Sequence, residues 1–453
     1  MTARGDRTRL RAAAQAILRE ALAGADPGRL VRRSLDVRAG RLEVAGLRHP
    51  IGRGRVVLVA VGKAAVPMAR AAEEALGDRL AEGIAVSSAA GGALGKTRLL
   101  TASHPVPDAR GLSAATEVDA LARGLGRDDL LLVLLSGGAS ALLPSPAEGV
   151  TLEDKARTTA LLLRSGATIH ELNAVRKHLS RLKGGGLARA AFPARVATLV
   201  LSDVVGDDLS TIASGPTVPD PTTFSDAVAV LQRRGVLEAV PERVRARLLA
   251  GARGEQPETP KPGDPSFRRV ATRIVGSNRL SVDAAAREAR RLGLRPLVLT
   301  TRLEGEAREV ARALVAVLRE CVDSGRPLAP PLCLLAGGET TVTVRGDGQG
   351  GRNQEMAVAA AQALDGFPAP AVVACFATDG IDGASDAAGG IADDTSAARA
   401  EALGLAPAAA FLAASDTRNY LGPLGDLIVT GPTGTNVVDV VALLAGSPSG
   451  RGL

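Results

Sequence analysis

Two stretches limit what this chain can fold into more than any others: Val56 to Val61 (VVLVAV) and Leu130 to Leu135 (LLLVLL). Six consecutive apolar residues without alternation describe a strand buried on both faces. Each run ends in a small-residue turn, Gly62-Lys63-Ala64-Ala65 and Ser136-Gly137-Gly138-Ala139-Ser140, and each turn opens a helical pattern. Strand, tight turn and helix together begin a βαβ unit. Further strand-like runs at Ile84 to Ser88, Leu99 to Ala102 and Ala197 to Leu201 alternate with helices. Five such strands predict a parallel sheet covered on both faces, with ligands at the C-terminal edge of the strands.

The chain of 453 residues is long enough for two or three domains. Gly254 to Pro265 (GEQPETPKPGDP) is polar and Pro-rich. It marks a linker or exposed loop between an N-terminal α/β domain, residues 1–253, and a different α/β domain, residues 266–453. In the second half, strands are expected at Ile274-Val275, Pro296 to Thr300, Leu332 to Ala336, Val372 to Ala377 and Leu427 to Thr430. A Thr-rich strand is expected after Gly337-Gly338, and a terminal helix after Asn436.

Aromatic residues are only 2% of the chain, so its cores must be built from Leu, Val and Ala. The net charge of +7 comes from scattered arginines, without a lysine-rich tail or aromatic–basic alternation, which argues against a nucleic-acid partner. Thr2 to Ala25 reads as an amphipathic helix, not a signal peptide. No apolar run approaches the ~18 residues that would cross a bilayer, so the expected setting is cytoplasmic, without a membrane partner. Cys321, Cys333 and Cys375 lack metal-ligand spacing and read as reduced core thiols.

Polar residues gather where strands end. Lys63 lies at a helix start, but the upstream glycines precede the strand and no Ser or Thr follows, so this is not a Walker A loop. His104 precedes Pro105 and is therefore held extended at the same edge. Ser136, Gly137, Gly138 and Ser140 form a glycine–hydroxyl loop suited to phosphate, with a plain strand–helix turn as the bland alternative. Asn173, Arg176, Ser180 and Lys183 fall on one face of a helix predicted over Thr168 to Gly186. Asp203 and Asp207 follow the fifth strand beside glycines, and Asp379 follows a later one. All three are candidates for Mg²⁺, although Asp207 or Asp208 could instead cap a helix. Gly346 to Gly351 (GDGQGG) satisfies G-x-G-x-x-G ahead of Arg352-Asn353-Gln354-Glu355. A dinucleotide fingerprint is one reading, but the preceding segment looks half-exposed and no acid stands about twenty residues on. A helix N-terminus with an arginine fork, open to an anion, is the other reading.

Six blocks in this order carry a specific resemblance: SGGASALL, ELNAVRKHLSRLKGGGLA, LSDVVGDDLSTIASGPTVPD, GGETTVTVRGDGQGGRNQE, ATDGIDGASD and GPTGTNV. They resemble the class II glycerate kinases (glycerate 2-kinases), from about Ala12 to Gly446. The resemblance implies an N-terminal Rossmann-like domain, a C-terminal MOFRL domain and an active site in the cleft between them. It implies ATP-dependent, Mg²⁺-assisted phosphorylation of D-glycerate at the 2-hydroxyl, giving 2-phosphoglycerate. Lys63 and Arg352 match the family's proposed catalytic pair. Alongside it, Ser136 to Ser140 and Lys183 are expected on ATP phosphates, with His104, Asn173, Arg176 and Asn353 on the substrate. Relatives have also carried the label hydroxypyruvate reductase, which keeps an NAD(P)-dependent enzyme open beside the kinase. A non-catalytic anion-binding module is a third reading. A homodimer is compatible with the sequence, which leaves oligomeric state and nucleotide preference open.

Overall fold

A computed structural model of the protein describes residues 3–38, 40–50, 52–88 and 91–447. The chain divides into two compact units, Pro27–Val275 and Met1–Asp26 with Gly276–Leu453.

The unit Pro27–Val275 opens with three short antiparallel strands, β1 (Leu35–Arg38), β2 (Arg41–Val44) and β3 (Leu47–Pro50). Its main sheet contains β4 (Val56–Val61), β5 (Leu80–Ser87), β6 (Thr97–Thr101), β7 (Leu130–Leu135), β8 (Arg195–Leu201) and β9 (Val270–Gly276). The order is β6-β5-β4-β7-β8-β9, and the pairs from β6 through β8 are parallel. Every residue of β4 and β7 is buried, as two-sided coverage requires of an unbroken apolar run. Chain order reverses between β4 and β7, so the turns after these two strands lie side by side at the switch point where such sheets hold ligands.

The other unit is built on a mixed sheet of β10 (Arg295–Leu303), β11 (Leu332–Gly338), β12 (Ala371–Ala377), β13 (Gly389–Asp393), β14 (Leu427–Ile428) and β15 (Asp439–Ala445). Its order is β10-β11-β15-β12-β13-β14, with only β10 and β11 parallel. The expected terminal helix is instead β15, wedged between β11 and β12. Its Val-rich run suits a fully buried strand better than a helix. The expected Thr-rich strand is a loop that makes one isolated bridge, Glu306 to Thr341.

The division also falls away from the polar segment 254–265. Beyond that segment β9 still joins the first sheet, while helix Ala3–Gly24 leaves its sequence neighbours and packs with the other unit. Leu10, Ala14, Ile17, Leu18 and Ala21 form its apolar stripe, which meets Val282, Ala289, Leu335, Phe376 and Leu444. Arg7 pairs with Asp394, and Arg11 with Asp393 and Asp426, fixing the N-terminal half of the helix. All three cysteines are buried and free. Among the described residues no helix is long and apolar enough to cross a membrane.

Candidate active site

At the switch point the two turns are stitched together. Lys63 N donates to Gly137 O at 2.8 Å, and Ala64 N donates to Ser136 Oγ at 3.0 Å. Gly62 (φ +131°) has no room for a side chain, because a Cβ would lie 2.2 Å from Ser136 Oγ. The buried Ser136 hydroxyl therefore holds the Lys63 turn in place. A Cβ on Gly137 would lie 2.3 Å from Asp203 Oδ2, and one on Gly138 3.0 Å from His104 Cδ2. These contacts bring Lys63, His104, the 136–138 turn and Asp203 to one edge of the sheet. Burial, followed by the Lys63 charge, holds the His104 imidazole below its ordinary value. Asp207 is only partly buried and takes a left-handed φ of +60°. Neighbouring Asp208 accepts from Ser210 N, Ser210 Oγ and Thr211 Oγ1 within its own loop; it does not cap a helix as expected, because the 3₁₀ turn Ile212–Ser214 starts after Thr211 and has no side-chain cap.

Beside this edge lies a group of cations. The helix carrying Asn173 and Arg176 runs over Ile169–His178 only, so helical spacing does not bring Lys183 in as expected. The turn through Gly184 and Gly185 does so. Both glycines have positive φ, and their N–H groups are tied to Ser214 O and Gly215 O at 2.9 and 2.7 Å. Lys183 Nζ then donates to Ser140 O at 2.8 Å. Ser140 Oγ meets Ser214 Oγ at 2.9 Å, and Ser214 Oγ donates to Asn173 Oδ1 at 2.9 Å. Lys155 joins this group from helix Leu152–Arg164 and was not among the expected residues. A signal for it existed: Lys155, Thr158 and Leu162 share one stripe at i, i+3 and i+7, and all three are buried. Burial lowers Lys155 to about 7, with Arg176 adding to the effect, and lowers Arg176 to about 10. Lys183 is drawn well below its ordinary value by burial, then by Arg176 and Lys155. The charges acting on these three are each other's; no carboxylate among the described residues offsets them.

In the other unit, Arg352 is the first residue of helix Arg352–Ala363. Its Nε donates to Asp439 Oδ2 at 2.5 Å, Nη2 to Asp439 Oδ1 at 3.0 Å and Nη1 to Glu339 Oε1 at 2.8 Å. Burial works against the Arg352 charge, yet Asp439, Glu339 and Asp382 together raise its pKa above the ordinary value. Asp439 is pushed up to about 6 by its own burial, with Arg352 pulling the other way. The helix N-terminus is not open to an outside anion. Asp382 accepts from Asn353 N at 3.0 Å and Gln354 N at 2.8 Å, and from the Asn353 and Gln354 side-chain amides at 3.2 and 3.0 Å. Asn353, expected on the substrate, is fully buried and directs both its backbone N–H and its side-chain amide to Asp382. The glycines of 346–351 answer to the fold as well: Cβ atoms there would meet Ala414, Asp416, Thr417 and Asp382 at 2.1–2.6 Å. Asp379 is partly exposed, and its Oδ1 accepts from Ile381 N at 3.2 Å.

Comparison with known proteins covers nearly the whole chain. A family profile described as a domain of unknown function (DUF4147) matches residues 13–249, and the MOFRL family profile matches residues 332–439. A glycerate 2-kinase of Pyrococcus horikoshii is 42% identical over 434 residues, covering 95% of this chain and 96% of the relative. A protein of Agrobacterium vitis named putative hydroxypyruvate reductase is 46% identical over 398 residues, covering 87% and 88%. The crystal structure of a glycerate kinase from Thermotoga maritima superposes with a TM-score of 0.86 at 40% identity, covering 96% of this chain and 99% of that one.

Proposed function

Since the chain belongs to the glycerate kinase family with a C-terminal MOFRL domain, we propose that it transfers the γ-phosphoryl group of ATP to the 2-hydroxyl of D-glycerate, releasing 2-phosphoglycerate. One observation carries the chemistry. Lys155, Arg176 and Lys183 are held together in a largely buried group without a carboxylate, an arrangement that calls for an anion. Phosphoryl transfer asks a protein mainly for positioning and for neutralisation of charge.

In this reading Lys63 and Arg352 balance charge on the transferring group. The turn through Ser136, Gly137, Gly138 and Ser140, with Lys183, lies against nucleotide phosphates, and the N-terminal unit serves as a Rossmann-like nucleotide domain. His104, Asn173 and Arg176 orient the acceptor or a phosphate. Asp439 acts through Arg352, aiming its guanidinium with two hydrogen bonds. Among the described residues no three His, Cys, Asp or Glu side chains gather closely enough to hold a metal by themselves. Mg²⁺ is commonly bound by one or two carboxylates while substrate phosphates supply the remaining ligands. Asp203, with Asp207 or Asp379, would provide the carboxylates, and the bound ion would offset charge on the phosphate oxygens.

The dehydrogenase reading loses its main support, because the glycines of 346–351 are accounted for by contacts within the chain and the following helix end is filled by Asp382. Purified protein incubated with ATP, Mg²⁺ and D-glycerate and followed by phosphorus NMR should show ADP and the 2-phosphate ester. Formation of the 3-phosphate would overturn the regiochemistry. Absence of any ester, together with NADH consumption on hydroxypyruvate, would overturn the kinase.

A further inference from the structure

The cation group contains more donor capacity than the fold uses. Lys155 is 8% exposed, and its Nζ has no hydrogen-bond partner. Asn173 is 3% exposed; Ser214 fixes its carbonyl oxygen, while Nδ2 has no partner. Lys183 spends one N–H on Ser140 O, leaving two of the three an ammonium carries. The guanidinium of Arg176, partly buried, makes no hydrogen bond or ion pair with any described residue, although it has five donors. Buried donors left unpaired this way are rare, because each gives up its water without a replacement. Three of the four are cationic. A single carboxylate would neutralise one of these charges, whereas a phosphoryl group carries close to two and offers three acceptor oxygens.

We infer that Lys155, Asn173, Arg176 and Lys183 form one phosphate subsite, with Lys155 as an additional ligand-binding residue, and that it takes a phosphoryl group in preference to the acceptor's carboxylate. The inference rests on the kinase reading for the presence of phosphate-bearing ligands, but its test does not depend on turnover. The phosphoryl group could come from the nucleotide's polyphosphate or from the phosphorylated product; the binding chemistry is shared.

The test is calorimetric titration of wild type and Lys155→Met with inorganic tripolyphosphate, 2-phosphoglycerate and D-glycerate. Loss of one charged hydrogen-bond donor should weaken at least one phosphate-bearing probe tenfold or more, with D-glycerate binding changed less than twofold. A deficit confined to tripolyphosphate assigns the subsite to the nucleotide, and one confined to 2-phosphoglycerate assigns it to the product. Thermal melts provide a second readout: tripolyphosphate or 2-phosphoglycerate should raise the wild-type midpoint and raise that of Lys155→Met much less. Lys155→Arg, which keeps the charge, should recover most of the binding and serves if the methionine variant does not fold. Unchanged binding of both phosphate probes by Lys155→Met, or a loss restricted to D-glycerate, would overturn the inference. In either case the phosphorus NMR assay would still report separately on the kinase.

Discussion

Replacing Lys155 by methionine should make the ligand-free protein more stable at pH 7. The ammonium sits 8% exposed with no partner, and burial brings its pKa from 10.5 to about 7. At about 1.4 kcal/mol per tenfold change in proton affinity, that difference costs the folded state up to roughly 5 kcal/mol at neutral pH. The sign follows from proton counts. Between about pH 7 and 10.5 the unfolded chain binds more protons at Lys155 than the folded one, so this contribution to stability increases as pH rises. Methionine removes the titrating group, and whatever its packing adds or subtracts is independent of pH. Urea unfolding of both proteins at pH 7 and pH 10, in buffer without phosphate, isolates the residue as the difference between them. The advantage of Lys155→Met should reach several kcal/mol at pH 7 and shrink by most of that amount at pH 10. A gap that does not change with pH would refute the reasoning, because it would mean that Lys155 feels no burial or has found a counter-charge.

Arg352→Ala should lower turnover by at least ~10²-fold, the scale seen when a group that stabilises developing charge is lost; near-normal turnover removes Arg352 from the chemistry. Asp439→Asn keeps the shape but breaks one of two hydrogen bonds to Arg352, so kcat should fall about tenfold with little change in KM. Since Asp439 titrates near 6, wild-type activity should fall as pH drops through that value and its carboxylate releases Arg352; the asparagine variant should lose this acid limb, and an unchanged profile would refute the positioning role. Asp203→Asn should raise the Mg²⁺ concentration needed for half-maximal turnover ~10-fold or more, and an unaltered Mg²⁺ requirement would remove Asp203 from the metal site. Gly351→Ala would place a Cβ 2.4 Å from Asp382 and should lower stability by about 1–3 kcal/mol in thermal melts; an unchanged melting midpoint would refute the close packing.

How far the sequence reached depended on whether a residue's neighbours were local. The five parallel strands could be read because six apolar residues in a row have few other uses, and the turns after β4 and β7 meet as the strand order requires. β15 was misread because its Ala and Leu residues drew it toward a helix although its valines favour a strand; insertion between β11 and β12 settles it as a strand. The place of the N-terminal helix was illegible for a similar reason. Its apolar stripe shows that it must be covered but does not say by which of two sheets. Asp382 could be picked out as polar, but its use as a cap for Asn353 and Gln354 spans about thirty residues and leaves no local pattern. Lys155 was readable and overlooked: a lysine in register with a buried stripe either snorkels outward or faces something anionic.

The docking of helix Ala3–Gly24 has a consequence for how the protein comes to be made. This helix is synthesised before the strands of either sheet, yet the surface it covers includes Leu444, near the last described residue. More than four hundred residues must therefore be polymerised before it can settle, while the intervening unit, Pro27–Val275, has all of its own strands much earlier. At a ribosomal pace of about 5–20 residues per second, the helix waits tens of seconds with its apolar side uncovered. A nascent chain stalled after β9 should accordingly hold a protease-resistant middle segment preceded by a cleavable leader, and only the arrival of β15 should protect that leader.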